Sequence, residues 1–164
     1  MNYINPSPIK ASITAVGAYV PEERLTNADL ETMVETNDDW IVARTGISER
    51  RILKDPTKGS SYMAIKAAQD LINKRNLDPV EIDAVIVATI TPDMNVAATA
   101  AFVASEIGAT NAFAYDLQAA CSGFLYGMSN ASSMIASGRY QKVLLIGSDK
   151  MSSIIDYSDR TTCI

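Results

Sequence analysis

The chain has 164 residues, 48% of them hydrophobic and 20% charged, with a net charge of −5, two cysteines and no histidine. That length suits one domain with a buried core, the apolar fraction excludes a disordered tail, and the acidic balance speaks against a nucleic-acid partner. Cys121 and Cys163 are too few for a disulfide scaffold, and without histidine the chain can make no Ser-His or Cys-His pair of its own, so no metal site is expected.

The first ten residues contain Asn2, Asn5, Pro6 and Pro8 and no apolar core, unlike a signal peptide. No apolar run approaches the roughly 18 to 20 residues of a membrane span. A cytoplasmic protein without membrane attachment is therefore expected.

Residues 9–20 read as a strand region with Ile13, Val16 and Tyr19 among small residues, stopped by Pro21. Thr26-Asn27-Ala28-Asp29 has the form of a capping box and predicts a short helix with Leu30, Met33 and Val34 on its inner side. A second short helix is predicted from Asp38 to Arg44, ending near Gly46, and residues 47–53 read as an extended surface arm.

Ser60 or Ser61 can cap the next helix, in which Met63, Ala64, Ala67, Ala68, Leu71 and Ile72 recur at helical spacing. Pro79 marks a turn, and Ala84-Val85-Ile86-Val87-Ala88 reads as a strand covered on both faces. Residues 96–107 read as an Ala-rich helix, 112–117 as a strand, 121–137 as a helix ending at Gly138, and 142–147 as a further buried strand. Thr161-Thr162-Cys163-Ile164 reads as the start of another strand. Alternating strands and helices predict an α/β fold with a parallel-containing sheet and helices on its faces, with no internal repeat or domain boundary.

Asp116-Leu117-Gln118-Ala119-Ala120-Cys121-Ser122-Gly123-Phe124 is the stretch richest in chemistry. A buried strand ends, small residues turn the chain, and a cysteine opens an apolar helix. Free helix amides there favour a thiolate, worth about 0.3–1 kcal/mol, and Ala119, Ala120 and Gly123 leave room for a substrate. A free cysteine is more often an inert core residue. The helix supplies no acid–base partner, and this chain has no histidine to offer.

Thr26-Asn27-Ala28-Asp29-Leu30-Glu31 and Trp40-Ile41-Val42-Ala43-Arg44-Thr45-Gly46-Ile47-Ser48-Glu49-Arg50 together resemble the ketoacyl-acyl-carrier-protein synthase III family. Ala119-Ala120-Cys121-Ser122-Gly123-Phe124, Gly147-Ser148-Asp149 and Asp159-Arg160 follow in the family's order and spacing. The resemblance runs from about Ile9 to the last residue.

It implies a thiolase-like fold: two similar halves, each a mixed five-stranded sheet with helices on both faces, in an αβαβα sandwich. Residues 1–164 would be the N-terminal domain, truncated before completion, with the C-terminal half absent. The family condenses an acyl-CoA primer, often acetyl-CoA, with malonyl-acyl-carrier-protein to begin fatty acid synthesis, as a homodimer and with no tightly bound cofactor. Cys121 matches the cysteine that takes the acyl group. The histidine and asparagine that handle the malonyl thioester belong to the missing half.

Thr36, Trp40, Arg44 and Arg160 match the family's CoA site. Trp40 and Arg44, four apart on one helical face, could stack on a flat adenine, with Thr36 nearby and Arg160 near the adenine–phosphate end. The plainer alternative is a core indole beside a solvated arginine. Thr91-Pro92-Asp93-Met94-Asn95-Val96-Ala97-Ala98 matches a segment that crosses the family's dimer interface and closes the partner's acyl pocket. An aromatic residue followed by proline is common there; Val96 and Ala97 are smaller, which would admit a bulkier primer unless the loop has no role in selectivity.

Cys163, Met63, Met128 and Met134 read as packing, and Asp116 and Asp149 as anchors of loops. Arg50, Arg51, Lys54 and Lys58 read as a solvated basic surface, or as a dock for a carrier protein or CoA phosphates. Two other functions stay open: an acyltransferase of secondary metabolism with the same nucleophile, and a non-catalytic fragment acting only through dimer contacts.

Overall fold

A computed structural model describes residues 10–164, which gather into two compact units. One contains residues 10–19 and Ser60–Asp149; the other contains Val20–Gly59 and Lys150–Ile164.

The larger unit is built on three parallel strands, β3 (Ala84–Ala88), β4 (Phe113–Leu117) and β5 (Val143–Gly147), in the order β4-β3-β5. Every residue of β3 is buried, as its unbroken apolar run predicts for a strand covered on both faces. Side chains alternate across the sheet. Val85, Val87, Leu144 and Ile146 join one buried cluster with Ala64 and Ala68 of α3 (Ser60–Arg75) and Ala100, Val103 and Ala104 of α4 (Thr99–Ile107). The opposite face meets α5 (Gly123–Ala136): an added Cβ on Gly123 would lie 3.3 Å from the Ala88 Cβ, and one on Gly127 would run into Leu145. Full burial of a Val or Ile side chain contributes about 1.5–3 kcal/mol, so β3 is the main hydrophobic anchor of this unit.

The register pairs Ala88 with both Leu117 and Gly147, so all three strands end at one edge. The following backbone keeps the alignment, with Thr89 N–H donating to the Leu117 carbonyl and Ser148 N–H to the Ala88 carbonyl, each at 3.1 Å.

The smaller unit pairs β1 (Arg24–Thr26) with β2 (Glu49–Arg51) in an antiparallel ribbon. Between them run α1 (Asn27–Glu31) and α2 (Asp38–Thr45). The predicted capping box forms, with Thr26 Oγ1 accepting from Asp29 N–H and the Asp29 carboxylate accepting from Thr26 N–H. Asn37 caps α2, and Gly46 ends it at φ 70°, a left-handed conformation that glycine adopts without a Cβ clash. Leu25, Leu30, Ile41 and Cys163 form the buried centre of this unit. Val34 packs on that cluster, whereas Met33 lies beyond α1 and is exposed.

The α/β class holds, but the strands of the described residues form a parallel sheet of three and a separate antiparallel ribbon of two rather than one mixed five-stranded sheet. Several local expectations do not hold. Ile9 lies outside the described residues. Residues 10–20 form no strand; they are tethered to α3, where Ala18 N–H donates to Asp70 at 2.9 Å and a side chain on Gly17 would strike the Ala67 carbonyl. Ser60 and Ser61 lie inside α3 rather than before it, and Ser61 N–H is capped by Asp93 at 3.2 Å. Helix α4 starts at Thr99, three residues after the predicted Val96. Residues 160–163 form α6 (Arg160–Cys163), not a strand, because Asp159 caps the Thr161 amide and starts a helical turn. Met128 is 37% exposed rather than inward-facing, while Cys163 is buried as expected. Half-buried Arg50 donates at 2.5 Å to Asn27 Oδ1, and exposed Arg51 donates at 2.5 Å to the Pro21 carbonyl, so neither is merely a solvated charge.

Candidate functional site

In the larger unit the chain leaves β4 at Leu117 and reaches α5 through a short 3-10 turn, Ala120–Ser122. Cys121 is the middle residue of that turn. It therefore precedes α5 rather than opening it, and its thiol is free and exposed. Ser122 N–H closes the turn on the Ala119 carbonyl at 3.0 Å, and Gly123 N–H reaches the Ala120 carbonyl. Ala120 has φ 45°, a left-handed conformation uncommon for a residue with a Cβ. Ser122 makes no side-chain cap bond, so its hydroxyl does not occupy the amide-bearing end of α5.

The neighbouring loops are fixed by carboxylates. Asp116 pairs with Val87, which joins the cluster that α4 packs into. Its carboxylate accepts the Thr99 and Ala100 amides, both at 2.7 Å, at the positive end of that helix. Asp149 accepts from Ile90 N–H at 2.8 Å, Thr89 Oγ1 at 2.9 Å and Thr91 Oγ1 at 3.4 Å. Buried Ser60 joins the network, donating to the Thr91 carbonyl at 2.7 Å and accepting from Ser148 Oγ through its own carbonyl at 2.8 Å. The segment between β3 and α4 is thus held at both ends and by Asp93, and Val96 at its tip is 99% exposed. Asp116 and Asp149 are the loop anchors the sequence suggested; Asp93 and Thr89 were not singled out, and Ser60 was read only as a helix cap.

The smaller unit brings Trp40, Arg44 and Arg160 together. The Arg44 guanidinium carbon lies 4.2 Å from the indole centroid and that of Arg160 lies 5.2 Å from it. Arg160 Nη1 also donates to the Glu35 carbonyl at 3.1 Å, next to Thr36. Thr36 Oγ1 is buried and has no hydrogen-bond partner among the described residues. Trp40 combines the two readings of the sequence: it packs on the buried cluster and carries two guanidinium groups over its ring. In the same unit, buried Asn27 donates to Asp38 at 2.7 Å and to the Ile47 carbonyl at 2.8 Å while accepting from Arg50.

Tyr157 ionises above the ordinary phenol range, first because burial disfavours the phenolate, with Cys163 adding to the rise and Arg50 opposing it. Asp55 titrates at about 2, lowered by hydrogen bonds from the Thr57 hydroxyl and amide and from Lys58. Among the described residues no helix is long and apolar enough to cross a membrane.

Comparison with known proteins gives one answer. Residues 115–164 match the family 3-oxoacyl-[acyl-carrier-protein (ACP)] synthase III. A β-ketoacyl-[acyl-carrier-protein] synthase III of Chlorobium chlorochromatii strain CaD3 is 58% identical over 156 residues, 95% of this chain and 47% of that protein. The crystal structure of the synthase III from Thermus thermophilus superimposes with a TM-score of 0.87 at 47% identity, over 93% of this chain and 47% of the other. The priming β-ketosynthase of the R1128 polyketide biosynthetic pathway does so with a TM-score of 0.88 at 33% identity, over 94% of this chain and 47% of the other. The chain spans about half the length of the curated relatives it matches.

With its parallel sheet and its strand-to-helix turn, the chain has the fold of thiolase-like proteins. Within that class it is similar, as its motifs implied, to the 3-oxoacyl-[acyl-carrier-protein] synthase III proteins, over about half of their length.

Proposed function

We propose that this chain is the acyl-accepting, N-terminal half of a cytoplasmic, homodimeric 3-oxoacyl-[acyl-carrier-protein] synthase III, an acyltransferase that starts fatty acid synthesis. The observation that carries the reading is Cys121: a free, exposed thiol in a tight turn before α5, inside a chain similar to these synthases over 95% of its length.

In this reading the Cys121 thiolate attacks the thioester carbonyl of an acyl-CoA primer such as acetyl-CoA. The tetrahedral intermediate collapses, the CoA thiolate leaves and takes up a proton, and the acyl group stays on sulfur. Malonyl-acyl-carrier-protein then loses carbon dioxide, and the resulting carbanion attacks the acyl-cysteine carbonyl and releases the Cys121 thiolate. The histidine and asparagine for that second step would come from the half this chain does not span. Trp40, Arg44 and Arg160 would hold the adenine end of CoA by stacking and charge, with Thr36 Oγ1 as a further polar contact. No tightly bound cofactor is needed.

Incubating the 164-residue chain with acetyl-CoA and mapping peptides by mass spectrometry tests the first step. Acetylation at Cys121, lost in Cys121→Ser, is expected; no acetylation would favour a fragment acting only through dimer contacts. Turnover of malonyl-acyl-carrier-protein by this chain alone would contradict the division of labour.

A second reading, an acyltransferase of secondary metabolism, is favoured by the likeness to the polyketide priming ketosynthase and by the small, exposed Val96 followed by Ala97. Competition among acyl-CoA primers of increasing bulk separates the two.

A further inference from the structure

We propose that Ala120 is a positioning residue for the Cys121 thiol, and that its left-handed backbone is retained because alanine restricts the turn more than glycine would. The proposal rests on the reading of Cys121 as the acyl acceptor.

Among the described residues, only Asn76 and Ala120 combine a positive φ with a side chain. Asn76 follows the last residue of α3, and asparagine tolerates this region. Ala120 has no such excuse. Its short side chain offers no hydrogen bond that would compensate the crowding of Cβ against the backbone. Glycine would adopt the same angle without strain.

The strain falls where the chain has least freedom to move it. On one side Leu117 is fixed by its pairing with Ala88 and by the Thr89 amide. On the other, Gly123 begins α5 against the Ala88 side chain, and its amide is bound to the Ala120 carbonyl. Within that gap Ala119 (φ −154°, ψ 31°) and Ala120 (φ 45°) both depart from strand and helix geometry. Cys121 and Ser122 follow with Ser122 N–H tied back to Ala119. The angle at Ala120 therefore decides where the Cys121 Cα–Cβ bond points relative to the uncapped amides of α5. A Cβ at 120 leaves few other backbone shapes for the turn; glycine opens many. Stability and presentation of the thiol should then respond to Ala120→Gly in opposite directions.

The test compares Ala120→Gly with the unsubstituted 164-residue chain in thermal unfolding, in acetyl transfer from acetyl-CoA to Cys121, and in alkylation of Cys121 by iodoacetamide at neutral pH, both resolved by peptide mapping. The expected result is an equal or higher Tm, acetyl transfer slowed by about tenfold because the sulfur is no longer pre-oriented, and alkylation changed by about threefold because the freed turn presents the sulfur differently to the reagent. A purely structural alanine would change Tm and leave both rates where they were. A lower Tm, or unchanged rates, overturns the proposal. If the unsubstituted chain is not acetylated at all, the acyl-acceptor reading fails and the iodoacetamide rates alone decide the positioning role.

Discussion

The Arg160 guanidinium carbon stands 5.2 Å from the centre of the Trp40 indole, held there by a bond to the Glu35 carbonyl. A flat ring sandwiched between the two needs two van der Waals contacts, together about 7–8 Å. The space is too narrow as it stands, so if CoA binds as proposed, its adenine would enter between them only with Arg160 swung away from Glu35.

Trp40 is the chain's one tryptophan, so its emission reports this site directly. Titration with CoA is expected to change the fluorescence and saturate. Arg160→Ala should make the indole more accessible to acrylamide at a stability loss within about 0.5–1 kcal/mol, the range of an exposed cation–π contact. Unchanged quenching would mean that Arg160 does not cover the ring in solution.

Asp116→Ala should lower unfolding free energy by about 0.5–2 kcal/mol, as loss of a helix cap does, because the Thr99 and Ala100 amides lose their shared acceptor. Urea unfolding measures the loss, and amide exchange should accelerate first at residues 99–101. Faster exchange elsewhere with protection kept there would contradict the cap.

Acid should destabilise the fold between about pH 4 and pH 2. Asp83 is lowered by the Lys142 and Gln141 amides, Asp29 by the Thr26 amide and hydroxyl, and Asp55 to about 2 by Thr57 and Lys58. A carboxylate with a folded pKa below its unfolded value of about 3.9 contributes stability above that value. The contribution disappears as pH falls through the folded pKa. Thermal midpoints should be level from neutral pH to about pH 5 and then decline. Asp83→Asn should flatten part of the decline.

Gly17→Val should free residues 10–19 from α3, since the new side chain meets the Ala67 carbonyl and the Leu71 Cβ, which lies 2.7 Å from an ideal Cβ. Overpacking of this kind costs about 1–3 kcal/mol. Loss of exchange protection at the Ala18 amide, which Asp70 now accepts, is the local sign to measure.

Elements whose signals are local were legible in the sequence. The Thr26 capping box, the Gly46 stop and the apolar run of β3 each depend on residues within a few positions of one another. Caps supplied from a distance were not. Asp93 reaches Ser61 across 32 positions and Asp116 reaches Ala100 across 16, so nothing near either helix start announces them. The terminal turn was misread for a related reason: Thr161, Thr162 and Ile164 favour strand by propensity, but Asp159 caps the Thr161 amide and Cys163 is drawn into the core. The grouping of Trp40, Arg44 and Arg160 followed from family likeness, since no periodicity links positions 40 and 160.

The three parallel strands stop in register, and this gives the larger unit two unlike ends. At one end Thr89 and Asp149 sit in a bonded network of loops and the Cys121 turn follows β4, so an inserted residue there would disturb several loops at once. At the other, the bend between α5 and β5 passes through Gly138 at φ 72° and exposed Arg139 before Asp83 gathers the Gln141 and Lys142 amides. An epitope or fluorophore spliced between Gly138 and Arg139 would leave that network untouched, making this bend the natural handle for immobilising the protein with its thiol facing outward.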